Sequence, residues 1–181
     1  MLKHLGVIIG VLAVAPLAAN AAPGPGFPRV RACSLLTPSE ISSAIGAQPG
    51  PSREDNVVIP DGPSKGESMA TCMWPTGQMD MVTVSAVKAL QGAQRDAALK
   101  DLDNSVADMK QQGWTEEKQD INGARCSIMT PPRQETDAPN MTGCFVEAKG
   151  VALSVGTMAR AKKVAIQPIK DLLDKAISRL P

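Results

Sequence analysis

The chain has 181 residues, of which 43% are hydrophobic and 20% charged, with a formal net charge of +1. That length suits one domain able to bury a core, and the near-neutral balance gives no reason to expect nucleic acid or an anionic membrane as a partner. The aromatics are only Phe27, Trp74, Trp114 and Phe145, too few for a stacking platform, and the one histidine is His4.

Residues 1–21 read as a secretory signal peptide: a basic start at Lys3, an apolar run from Leu5 to Ala19, and the small-x-small pattern Ala19-Asn20-Ala21. The run is too short and alanine-rich for a membrane span, so none is expected after cleavage. Removing Lys3 lowers Lys+Arg from 19 to 18 against 18 Asp+Glu, so the 160 residues from Ala22 onward are neutral. His4 leaves with the leader. Ser-His-Asp and Cys-His catalysis, and zinc held by histidine, are thereby excluded. Residues 22–31 form a flexible Pro/Gly linker, and 32–181 a single domain.

"CSLLTPSEISSAIGA" (33–47) is a marked helix. Thr37 is an N-cap, Pro38 suits the first helical position, Glu40 completes a capping box, Leu36 and Ile41 form a staple, and Gly46 stops it. Ile41, Ala44 and Ile45 are its apolar stripe. Residues 47–66 read as a loop, with a short edge strand possible at 56–59. "SMATCMW" (68–74) and "MVTVSAV" (81–87) are strands joined by the turn "PTGQ". The clearest long helix is 93–112, with Leu99, Leu102, Val106 and Met109 as its stripe and Gly113 as its stop. "WTEEKQ" is a possible strand, turning at Asn122-Gly123 into "ARCSIM". "GCFVEA" and "VALSVGT" form a hairpin about Lys149-Gly150, and a last helix spans roughly 162–179. Its stripe is Ile169, Leu172, Leu173, Ala176, Ile177 and Leu180, with Pro168 at its start or at a kink.

Hairpins require an antiparallel sheet, and one apolar stripe per helix requires that each helix pack on it. The expected fold is therefore α+β and two-layered, with about five to seven strands and three helices mainly on one face. A cysteine, a hairpin and a helix recur after both Cys72 and Cys144, an echo short of a repeat.

Cys33, Cys72, Cys126 and Cys144 have four possible roles: lipid attachment, a reactive thiol, metal ligation or disulfides. No cysteine lies at the cleavage site, no histidine remains to activate a thiol, and gaps of 39, 54 and 18 residues lack the close pairs of a zinc site. An even count in an exported chain reads as two disulfides. Pairing the strands that flank "TPPRQETDAPN" sets Cys126 opposite Cys144. That leaves Cys33 with Cys72.

"CSLLTPSEISSAIG", "CMW" (72–74), "VTVSA" (82–86) and "GARC…GCFVEAKGVALSV" (123–155) resemble a family of small exported domains of unknown function, abundant as lipoproteins in actinobacteria. The extracellular sensor domain of a mycobacterial serine/threonine kinase looks distantly similar. The resemblance implies a helix-covered antiparallel sheet with two disulfides, and binding rather than catalysis. It supplies no catalytic residue. This chain lacks the family's lipobox cysteine, so no lipid anchor is implied.

The candidate ligand-binding residues are Trp74, Trp114, Arg160, Lys162 and Lys163. Tryptophan is enriched at binding hot spots but equally fills cores, and a basic cluster can grip an anion or merely be a solvated loop. Carboxylates in "REDN" (53–56) and "DLD" (101–103) match no calcium loop and read as solvated. Met69, Met73, Met79 and Met81 could hold soft copper(I) or fill core gaps. Asn140-Met141-Thr142 is a glycosylation sequon of consequence only in a eukaryotic host. No metal and no cofactor are assigned. The expected function is a non-enzymatic binding domain, periplasmic or secreted. Its partner is a small ligand, an envelope component or a protein. The contact surfaces are a sheet face or helix–sheet cleft and the loops 47–66 and 130–140. The alternatives are an inhibitor or immunity protein of a secreted enzyme, and a hydrolase working through paired carboxylates.

Overall fold

The computed structural model describes residues 30–78, 80–133, 137–160 and 162–181. The expected leader, nearly all of the expected linker, Met79 and part of the 130–140 loop lie outside them. Seven strands form one antiparallel sheet: β1 (Arg53–Val58), β2 (Ser68–Pro75), β3 (Met81–Lys88), β4 (Thr115–Ile121), β5 (Ala124–Thr130), β6 (Asn140–Ala148) and β7 (Val151–Ala159). Their order is β1-β2-β3-β7-β6-β5-β4. Two meanders, β1–β3 and β4–β7, thus meet at the central β3–β7 pair. Each is followed by a helix: α2 (Gly92–Gln111) after β3, and α3 (Ile166–Ser178) after β7.

Alternation along the strands sorts side chains onto two faces. Ala70, Cys72 and Trp74, then Val82, Val84 and Ala86, then Val151, Leu153 and Val155 point to one face and are all buried. That face is covered by α1 (Pro38–Ile45) and α3. Ile41 and Ile45 from α1, and Ile169, Leu172, Leu173 and Ala176 from α3, complete a single core cluster. The α1 capping box forms as its sequence demands. The Thr37 hydroxyl accepts from the Glu40 N–H, and the Glu40 carboxylate accepts from the Thr37 N–H at 2.8 Å. Gly46 closes the helix at φ +69°, a left-handed conformation that glycine adopts without strain. Pro168 falls in the first turn of α3, where a missing N–H is harmless.

Both disulfides pair as expected, Cys33 with Cys72 and Cys126 with Cys144. The first pins a 3₁₀ turn (Ala32–Ser34) and the start of α1 to β2. The second joins directly opposed residues of β5 and β6. Two expectations need correction. The 47–66 segment is less of a loop than its polar composition suggested, since β1 begins at Arg53 rather than residue 56. Six residues pair with β2, and that ladder outweighs the low strand preference of Glu54, Asp55 and Asn56. The apolar stripe of α2 is also not buried: no residue of that helix is, and Leu102 is 45% exposed.

Candidate functional site

The weak burial of α2 follows from where it lies. Arg95 donates to Glu147 on β6 at 2.7 Å, and Arg125 on β5 donates to Asp103 at 2.6 Å. Glu147, Arg125 and Phe145 alternate with the core residues of their strands, so they occupy the second face of the sheet. The helix therefore crosses the face opposite α1 and α3. Lys110 adds an ion pair to Glu116 on β4 at 3.2 Å. Exposed pairs of this kind contribute about 1 kcal/mol or less each. Sparse apolar contacts and charge thus hold α2, where a continuous hydrophobic interface holds α3.

Two clefts open between α2 and this face. One, of about 140 Å³, is lined by Val87, Leu90, Ala98, Leu99, Phe145 and Ala152, with Arg95 and Glu147 at its rim. The other, of about 170 Å³, lies between Val106 and the β5–β6 pair, with Asp103, Arg125 and Glu116 at its edge. Leu102 and Phe145 line both. Each cleft is smaller than the roughly 300 Å³ of an ordinary small-molecule site. The partition between them is a half-exposed leucine on a loosely held helix. The walls are largely apolar, and the rims carry charges of both signs, most of them ion-paired.

The five sequence candidates do not assemble there. Trp74 is 2% exposed and belongs to the core cluster on the other face. Trp114 sits half-buried between α2 and β4. The Arg160 backbone N–H donates to Asp80 at 2.9 Å. Lys162 brings its ammonium beside the C-terminal glycine of α1, where a cation suits the helix dipole. Lys163 is ion-paired with Glu117. Asp55 pairs with Arg53 and Asp103 with Arg125. Among the described residues no three His, Cys, Asp or Glu side chains gather as a metal site. The sequence did carry a signal for the cleft. Phe145 is out of phase with Cys144, so a core-facing Cys144 puts the only large aromatic of β6 on the opposite face.

Elsewhere the electrostatics serve the scaffold. Arg179, just beyond α3, donates to both Glu40 oxygens at 2.8 Å and to the Leu35 carbonyl at 2.7 Å. Those guanidinium bonds hold the Glu40 carboxyl down to about 2 from its usual 4.5; its partial burial opposes the shift, and the Thr37 N–H and hydroxyl add to it.

No protein family and no curated protein matches the chain. Among solved structures it is similar to the crystal structure of the extracellular domain of PknH from Mycobacterium tuberculosis. The TM-score is 0.53 at 14% identity, over 82% of this chain and 94% of that one. The likeness is one of fold: this chain is built as that extracellular domain is built.

Proposed function

We propose that this is an exported, non-enzymatic binding domain whose site is the second face of the sheet beneath α2. The observation that carries the reading is a long helix with no buried residue, laid over apolar clefts and tied down by ion pairs. Such a helix can lift or slide at small cost, merging the clefts across Leu102 to admit a slim apolar ligand or an apolar side chain of a partner. Two disulfides suit an oxidising compartment, periplasmic or extracellular. Among the described residues no helix is long and apolar enough to cross a membrane. The extracellular setting of the PknH domain agrees with export. Membership of the family of small exported domains that open on a "CSLLT" motif belongs to the same proposal, resting on the short motifs around the four cysteines.

The test is native mass spectrometry on protein purified without denaturation from the envelope or medium of exporting cells. A non-covalent small-molecule adduct on the natural chain, absent from an Ala152→Phe variant that plugs the first cleft, supports the reading. A bare chain held in a one-to-one complex with another protein, unaffected by Ala152→Phe, overturns it in favour of an inhibitor or immunity role.

A further inference from the structure

Six methionines of the described strands, Met69, Met73, Met81, Met129, Met141 and Met158, all point to the second face of the sheet. None belongs to the core cluster. Five of the six are half-buried, and Met129 is buried at 6% exposure. Four stand in one row across four adjacent strands. Met129 opposes Met141, Met141 opposes Met158, and Met158 opposes Met81. Directly opposed residues have Cβ atoms roughly 5 Å apart. The unbranched, three-torsion side chain lets neighbouring thioethers turn toward a common point.

The row also has open space beside it. Gly143 and Gly156 oppose each other one step along the same face from Met141 and Met158. A Cβ added at Gly143 would meet only the Val155 carbonyl, at 3.8 Å. One added at Gly156 would meet Thr142 O at 3.4 Å, Thr83 Oγ1 at 3.7 Å and Gly143 Cα at 3.8 Å. All of these are atoms of the sheet itself, and Gly143 lies at the edge of the second cleft under α2. The result is a backbone trough without side chains of its own, edged by thioethers.

We propose that Met141, Met158 and Met81, with Met129 at the end of the row, form a site for a soft monovalent metal, copper(I). Thioether sulfur is the soft donor that selects copper(I), whereas zinc prefers thiolate or imidazole, and calcium and magnesium prefer oxygen. Neither imidazole nor thiolate competes for the metal here: the single histidine is His4 in the expected leader, and all four cysteines are oxidised. Export to an oxidising compartment leaves thioethers as the only soft ligands that stay available. None of the four methionines lines a cleft under α2, although Gly143, beside the row, lines the second.

The test is competition for copper(I) between the purified chain and bicinchoninate under ascorbate, with a thiol assay verifying that both disulfides stay closed. The natural chain retains one copper(I). Met158→Leu, which removes the centre of the row at nearly constant volume, loses it. Met69→Leu, on the same face but outside the row, retains it. Surrender of all copper to bicinchoninate by the natural chain overturns the proposal, as does a Met141→Leu/Met158→Leu double variant that holds copper as well as the natural chain. X-ray absorption on the loaded natural chain is a second check needing no variant: a sulfur shell is expected, and a shell of nitrogen and oxygen alone refutes the site.

Discussion

Replacing Leu102 by alanine, compared with the same change at Leu172, measures how lightly α2 is held. Leu102 is 45% exposed, so truncating it forfeits part of the roughly 2 kcal/mol that full burial of a leucine contributes, about 1 kcal/mol. Leu172 on α3 is 0% exposed and lies in the core cluster. Its loss leaves a cavity and costs about 3 kcal/mol or more. Urea unfolding with the disulfides intact reads both values. Hydrogen exchange adds the dynamic half. A 20-residue helix of mainly polar composition is marginal by itself in water, so an α2 that leaves the sheet also loses its amide protection. Its amides should exchange through a partial opening well below the free energy of global unfolding, while those of α3 should wait for the global event. The reasoning is refuted if Leu102→Ala costs as much as Leu172→Ala, or if α2 amides exchange only on global unfolding.

The Glu40–Arg179 clamp predicts a pH dependence. The folded carboxyl is lowered from 4.5 to about 2, so its contribution is complete above about pH 4.5 and is lost as pH falls toward 2. With Glu40 18% and Arg179 36% exposed, solvent screening reduces that contribution to about 1 kcal/mol. Glu40→Gln should therefore be less stable than the natural chain at pH 7, with the gap closing by pH 2.5 in urea melts. A gap unchanged at low pH contradicts this. In the chain-entropy account, replacing Cys126 and Cys144 by serine costs about 3 kcal/mol, and replacing Cys33 and Cys72 about 4 kcal/mol, because the second loop is longer. Thermal or urea unfolding of the two double variants tests the order. Gly46→Ala, at φ +69°, should destabilise by about 1 kcal/mol with the fold retained, as read by urea melts and circular dichroism.

The scaffold was legible because its signals are local. Thr37, Pro38, Glu40 and Gly46 state both ends of α1, the turns at Asn122-Gly123 and Lys149-Gly150 place the β4–β5 and β6–β7 hairpins, and pairing β5 with β6 across "TPPRQETDAPN" opposes Cys126 to Cys144. The site was less legible because faces are decided by tertiary contacts. The α2 stripe looked like a buried stripe, yet four apolar residues among charged ones are too few to displace the stronger stripe of α3 from the core face. Trp74 drew attention by residue type, and its parity with Cys72 placed it in the core instead. The methionine row was invisible in sequence, since Met81, Met129, Met141 and Met158 are brought together only by the β3-β7-β6-β5 strand order.

The most direct measurement is ¹H–¹⁵N chemical-shift mapping of the natural chain and Ala152→Phe, with N-phenyl-1-naphthylamine as an uncharged apolar probe. Shifts concentrated on α2, Phe145, Ala152 and Val87, and abolished in the folded variant, are the predicted result. Shifts on the α1–α3 side of the sheet, or a saturating response identical in Ala152→Phe, would contradict a binding site beneath α2.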